Sequence, residues 1–230
     1  MTSIYAYLEK PSMVDFPRHL AAVFFVSGCN FVCGFCHNAD LMGKKQTGLS
    51  EDRLRTACEK FRADWVNGVV ITGGEPTEAD DLPELIALFR EFGFAVKLDT
   101  NGSNPDRLET CLPLVDYVAM DVKAGFSLYP ELVRYAELDR IRRSIELIRT
   151  RAKDYEFRTT VIETIHDDEQ MEEIKKLVAG SKRYVLQAFI PRDELPGKRF
   201  RELPRTSAAR LEAIRERMAG CADEILVRGG

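Results

Sequence analysis

Apolar runs rich in β-branched and aromatic residues alternate along this chain with stretches whose apolar positions recur every three or four residues. The run 20–28 reads as a buried strand, and Leu54, Cys58, Phe61 and Trp65 follow at helical spacing. Strand 68–74 precedes the stripe Leu82, Leu85, Ile86 and Phe89, and strand 94–102 precedes a short helix near 105–112. Strands 115–123, 155–162 and 183–189 are each followed by an amphipathic run. The first is marked by Ile141, Ile145 and Ile148, the second by Met171, Ile174 and Val178, and the third by Leu211, Ile214 and Met218. Residues 224–228 form a short final strand. Strict alternation of this kind predicts parallel strands joined by helical crossovers. Six β/α units fall short of the eight that close a TIM barrel. The predicted fold is therefore α/β, an open, partial (β/α)6 TIM-like barrel forming one domain over residues 1–230. The polar stretch 191–204 is a loop.

Bulk composition narrows the function classes. A chain of 230 residues can bury on the order of 70% of its unfolded surface. Its 33 basic and 37 acidic residues leave a net charge of -4, which gives no nucleic-acid footprint. The apolar run 20–26 is too short to span a membrane and follows no cationic leader. A soluble, cytoplasmic protein is expected. Six cysteines then point to reactive or metal-bound thiols in a reducing compartment.

Three of those cysteines lie in one run, Gly28-Cys29-Asn30-Phe31-Val32-Cys33-Gly34-Phe35-Cys36-His37-Asn38. The Cys-x3-Cys-x2-Cys spacing supplies three thiolates. A structural zinc site usually has four ligands, as does an ordinary [4Fe–4S] cluster. Three thiolates suit a cubane with one iron left open for a substrate. The competing reading, a zinc site completed by His37 or a distant cysteine, leaves every downstream motif unexplained.

Those motifs fall where strands end, which is where functional groups gather in parallel β/α folds. The second strand ends in Thr72-Gly73-Gly74-Glu75-Pro76, the third in Leu98-Asp99-Thr100-Asn101-Gly102, and the fourth in Met120-Asp121-Val122-Lys123. The fifth carries Arg158-Thr159-Thr160 and the sixth Leu186-Gln187. Side chains alternate along a strand, so Asp121 shares a face with Lys123, Asp99 with Asn101, and Arg158 with Thr160. An apolar interior would not tolerate these groups unpaired. Gly73-Gly74 lets a ligand approach the backbone. Glu75 can meet a ligand ammonium, and Lys123 or Arg158 a ligand carboxylate. An amino acid carries both groups, as does the methionine end of S-adenosylmethionine (SAM).

In this order and at these distances, the cysteine run, Gly-Gly-Glu-Pro, Leu-Asp-Thr-Asn-Gly and Asp-x-Lys resemble a radical SAM activase of glycyl radical enzymes. The resemblance covers nearly the whole chain. Ser12-Met13-Val14-Asp15-Phe16-Pro17, Cys36-His37-Asn38 and Glu156-Phe157-Arg158-Thr159-Thr160-Val161 resemble the activating proteins of anaerobic ribonucleoside-triphosphate reductase more than pyruvate formate-lyase activase. The resemblance implies a [4Fe–4S] cluster on Cys29, Cys33 and Cys36 whose fourth iron binds SAM. It also implies an external one-electron donor such as flavodoxin or ferredoxin, a 5′-deoxyadenosyl radical, and a glycine on a partner reductase as the target. Gly73, Gly74 and Glu75 would face the SAM amino group, and Lys123, Arg158 and Gln187 its carboxylate and ribose. Asp99, Thr100, Asp121 and the Ala119 carbonyl match the monovalent-cation site of pyruvate formate-lyase activase, and Asn101 completes the cofactor-binding set.

Two departures qualify the resemblance. Asp15-Phe16-Pro17-Arg18 stands where pyruvate formate-lyase activase has Asp-Gly-Pro-Gly. Residues 39–67 contain a single cysteine, Cys58, so no auxiliary ferredoxin-like cluster is expected. Cys58, Cys111 and Cys221 read as core residues, His37 as a supporting residue beside the cluster, and His19 and His166 as solvated. Arg140, Arg142, Arg143, Arg149, Arg151 and Lys153 read as a charged helix face. Residues 12–18 and 191–204 are the expected docking rim for a partner. The competing functions are a radical SAM enzyme acting on another glycyl radical enzyme, a small molecule or a peptide, and an iron–sulfur electron carrier. The carrier has no use for Gly-Gly-Glu-Pro or a charged barrel interior.

Overall fold

The computed structural model describes residues 1–43 and 46–229. One eight-stranded sheet runs in simple sequence order, from β1 (Ile4–Tyr7) through β2 (Ala21–Val26), β3 (Gly68–Gly73), β4 (Ala95–Thr100), β5 (Tyr117–Asp121), β6 (Tyr155–Val161) and β7 (Ser181–Ala188) to β8 (Ala222–Arg228). Strands β2 to β8 are parallel, and β1 pairs antiparallel with β2. The crossovers carry α1 (Glu51–Ala63), α2 (Leu82–Glu91), α3 (Pro105–Cys111), α4 (Tyr129–Val133) with α5 (Leu138–Arg151), α6 (Asp168–Val178), and α7 (Lys198–Arg201) with α8 (Ala208–Arg217). These are the six expected β/α units, closed by a last strand. The antiparallel β1 was not anticipated. Four residues give period-2 alternation too little length to stand out.

Helix starts follow ordinary capping chemistry. Ser50, Asn104, Asp167 and Ser207 each accept a backbone N–H from the first turn of α1, α3, α6 and α8. The main core lies between the sheet and these helices, and Cys58, Cys111 and Cys221 are buried in it as expected. Trp65 departs from its expected stripe. Helix α1 stops at Ala63, and Trp65 follows with φ of 63° and 88% exposure.

A smaller apolar cluster fills the inner face of the sheet at the strands' N-terminal ends: Phe16, Ala21, Val23, Val70, Tyr117 and Ala119. Phe16 is 3% exposed and stacks near His19 and Tyr117, at ring separations of 4.2 and 5.9 Å. Ser12 bridges to Ala21 at the start of β2, and Arg18 pairs with Asp154 just before β6. Segment 12–18 therefore floors the barrel at the end opposite the motifs, which corrects its expected place on the docking rim. Phe16 in a short segment without period gave no hint of which end of the barrel it would stop.

His166 also differs from expectation. It is fully buried, and burial lowers its pKa. Its Nδ1 accepts the Ile162 N–H at 2.9 Å, so its Nε2–H donates to the Lys123 carbonyl at 2.9 Å. His19 keeps partial exposure and contacts Asn67.

Removing the floor should cost stability. Phe16→Ala is expected to lower the unfolding free energy by about 3–5 kcal/mol, the usual range for a buried phenylalanine. Denaturant titration checks this, and a loss under 1 kcal/mol would show that Phe16 packs loosely.

Candidate active site

The loop leaving β2 and the C-terminal ends of β3 to β8 surround one cavity of about 420 Å³. Its lining includes Cys29, Cys33 and Cys36 together with Gly73, Gly74, Glu75, Asp99, Thr100, Asn101, Asp121, Lys123, Arg158 and Gln187. Ala119, whose carbonyl was matched to the cation site, is not in the lining and packs in the apolar cluster at the floor. The backbone brings these together because each motif terminates a neighbouring strand.

The cysteine loop is held from several sides. Gly74 N–H donates to the Val26 carbonyl and Glu75 N–H to the Gly28 carbonyl, both at 2.8 Å. A Cβ on Gly74 would lie 2.0 Å from the Gly28 oxygen, so the glycine pair serves a close backbone approach to the cysteine loop as well as lining the cavity. Gly197 N–H donates to the Gly34 carbonyl at 2.8 Å, and Phe200 of α7 packs on Phe35 with centroids 5.6 Å apart. The stretch 191–204, expected as a loop, carries the short helix α7 and lies against the site, with Arg192 in the lining. His37 Nε2–H donates to the Ile190 carbonyl at 2.9 Å, which ties the end of the cysteine loop to the segment after β7.

The three thiols are half-buried or buried. Burial pushes Cys29 up to about 11 and Cys33 up to about 12, and raises Cys36 as well. Three desolvated sulfurs in one wall favour the thiolate state only beside a strong positive charge. A metal cluster provides that charge, and all three cysteines line one roomy cavity that could take it.

Glu75 is 1% exposed. Its Oε1 accepts Thr77 N–H at 3.1 Å, Thr77 Oγ1–H at 2.5 Å and Thr100 Oγ1–H at 2.6 Å, and its Oε2 accepts Asn101 N–H at 2.6 Å. Burial raises its pKa against these four donors. Glu75 therefore latches the β3 turn to the β4 turn, and Oε2 retains a lone pair for a ligand cation.

A chain of alternating charge crosses the cavity floor. Lys97 Nζ lies 2.6 Å from Asp99 Oδ1, Arg158 Nη2 3.1 Å from Asp99 Oδ2, and Lys123 Nζ 2.6 Å from Asp121 Oδ2. Arg158 Nε also bonds Asp121. Both carboxylates at the expected cation position are thus engaged by side-chain cations. Burial alone would raise them, but Arg158 with Lys97 holds Asp99 below its ordinary value, and Arg158 with Lys123 does so for Asp121. Beneath this layer, buried Glu156 receives two 2.7 Å bonds from Arg228 of the last strand and one of 2.9 Å from Tyr117. The Lys123 backbone is pinned at both ends, by Tyr129 Oη at 3.2 Å and by His166.

Sequence reasoning did not single out Lys97, Arg228, Tyr129 or Ser103 as site residues. Lys97 was legible in principle, since it shares the parity of Asp99 and Asn101 in an otherwise apolar strand. Tyr129 and Ser103 carry no such signal.

The charge chain predicts acid lability. The folded carboxyls of Asp99 and Asp121 titrate below their ordinary 3.8. Their stabilisation is therefore complete above that pH and is lost as pH falls below it, where only the unfolded chain takes up protons. Asp99→Asn should flatten the fall in stability below about pH 4 by up to about 1.4 kcal/mol per pH unit, one proton's worth. Denaturant titrations at several acid pH values measure the slope, and equal slopes would place acid sensitivity elsewhere.

Comparison with known proteins agrees with this arrangement. A provisionally named glycyl-radical enzyme activating enzyme of Methanocaldococcus jannaschii is 33% identical, with 99% of this chain and 97% of that protein covered. The 7-carboxy-7-deazaguanine synthase of Neisseria meningitidis is 35% identical over 47% of this chain and 46% of its own length. Streptococcus suis SuiB bound to S-adenosylmethionine superposes with a TM-score of 0.69 at 16% identity, covering 92% of this chain and 52% of SuiB. The chain thus spans nearly the whole of the first and about half of the other two. A family model matches residues 23–179, the stretch that runs from the first barrel strand through the cysteines and every charged strand end to Arg158, and the chain belongs to the radical SAM superfamily, enzymes that use a [4Fe–4S] cluster and S-adenosylmethionine.

Proposed function

We propose that this protein is the activating enzyme that installs a glycyl radical on anaerobic ribonucleoside-triphosphate reductase. The observation that carries the activase reading is likeness along 99% of the chain to a relative bearing an activating-enzyme name. The likeness to the deazaguanine synthase stops at about half. The choice of reductase rests on the resemblance of 12–17, 36–38 and 156–161 to that subfamily.

Cys29, Cys33 and Cys36 would hold the cluster. When bound, the cluster and SAM supply an electron and a 5′-deoxyadenosyl group that together yield a radical able to take a glycine hydrogen atom. This chain's own residues bind and orient. Lys123 has spare ammonium donors beyond its bond to Asp121, and Arg158 has spare guanidinium donors, for the SAM carboxylate. Glu75 Oε2 faces the ammonium, and Gln187 and Thr160 line the remaining wall. Lys97, Lys123, Arg158 and Arg228 offset Glu75, Asp99, Asp121 and Glu156, and Arg192 in the lining adds one further positive charge. Water exclusion at the mouth falls to the partner together with loop 191–204, which packs on the cysteine loop through Phe200.

Lys123→Ala should weaken SAM binding roughly ten- to a hundredfold with the cluster intact, because a charge-assisted hydrogen bond contributes about 1.5–3 kcal/mol. SAM titration of the reconstituted variant is the check, and unchanged affinity would move the carboxylate site away from Lys123.

For the activity itself, the anaerobically reconstituted protein, SAM, a reductant and the reductase should together give a glycyl radical signal by electron paramagnetic resonance. Alanine at Cys29, Cys33 or Cys36 should abolish it, and alanine at Cys58 should not. SAM cleavage with no radical on the reductase, but with turnover of a small molecule or peptide, would transfer the assignment to that other radical SAM class.

A further inference from the structure

We propose that Asn101 is a positioning residue for the cluster, its side-chain amide donating to the Cys29 sulfur and so setting the reduction potential at which the cluster accepts its electron. This rests on the reading of Cys29, Cys33 and Cys36 as the cluster ligands.

The orientation of the amide is fixed by its partners. Asn101 Oδ1 accepts the Ser103 backbone N–H at 2.9 Å, a group that can only donate, so Nδ2 points the other way. There it donates to Asn30 Oδ1 at 3.0 Å and faces Cys29 Sγ at 3.9 Å. An amide nitrogen has two hydrogens, and this geometry uses one on Asn30 and aims the other at sulfur. Asn30 Nδ2 closes the ring on Ser103 Oγ at 2.8 Å. Asn101 is 6% exposed, so an amide hydrogen turned from the sulfur would be buried without an acceptor.

The ring cannot swing away easily. The Asn101 backbone N–H is held by Glu75 at 2.6 Å. The Ser103 carbonyl accepts from Tyr135 Oη at 3.1 Å and from Arg140 Nε at 2.8 Å. Three separate segments thus aim one N–H at one ligand sulfur.

Hydrogen bonds to cluster sulfurs are among the determinants of iron–sulfur potentials. One-electron reduction adds negative charge that spreads over the ligand sulfurs, and a donor to Cys29 stabilises that added charge more than the oxidised state. Both donor hydrogens of Asn101 are committed within the protein, so its primary contact is with the cluster side of the cavity and not with SAM.

The test is a redox titration of the anaerobically reconstituted full chain, without SAM or partner, followed by electron paramagnetic resonance. Asn101→Ala removes the donor. Asn101→Asp keeps the shape and the acceptor for Ser103 but turns an oxygen toward the sulfur. The expected order of midpoint potentials is wild type highest, Asn101→Ala lower and Asn101→Asp lowest. The alanine variant should lose about tenfold in preference for the reduced form, or about 59 mV for one electron. Equal midpoints in all three proteins would overturn the proposal. Loss of the cluster from both variants would also overturn it, making Asn101 a structural clamp. The expected shift with no radical formed on any reductase would leave the tuning role standing and count against the activase reading alone.

Discussion

Burying charge on the concave face of a sheet is the constraint around which this molecule is arranged. Lys97 and Asp99 are almost wholly enclosed, and neither could be tolerated there without a partner of opposite sign. Lys97 pairs with Asp99 along the same strand and Lys123 with Asp121 two residues away, while Arg158 of β6 reaches both carboxylates, so that Asp99 of β4, Asp121 of β5 and Arg158 form one connected unit. The strand register follows from this pairing as much as from the apolar core, since a slip of one residue would turn a carboxylate into the helix layer. Cavity wall and fold specificity are therefore carried by the same side chains.

Much of this was legible in the sequence because parallel β/α architecture turns linear order into angular order. Once strands 68–74, 94–102 and 115–123 are recognised, the motifs that end them must face one another, and the cavity does contain all of them. What the linear reading underdetermined was how polar groups divide between ligand and protein. Gly73-Gly74 and Glu75 read as ligand contacts, yet Gly74 is required by the Gly28 carbonyl and Glu75 accepts four protein hydrogen bonds. Competition between ligand and protein donors for the same acceptor is a three-dimensional matter that spacing does not encode.

Two misplacements share one cause. His166 was expected in solvent and Phe16 on the docking rim, and both lie in loops without period. A loop residue's burial depends on which end of a barrel its loop covers. His166 turns inward to hold the Lys123 carbonyl, and Phe16 closes the end where Tyr117 and Val70 begin their strands. Trp65 illustrates the converse, because a stripe at helical spacing predicts burial only while the helix continues, and α1 stops two residues earlier.

The Phe16 floor makes the reaction chamber a cul-de-sac. Phe16, Val70 and Tyr117 fill one end of the barrel and the Arg228–Glu156 pair lies above them, opposite the mouth beside the cysteine loop. A macromolecule seated on that mouth would trap small molecules behind it. For a partner seated there, loading would precede docking and spent fragments would leave only after undocking, an order imposed by plumbing alone.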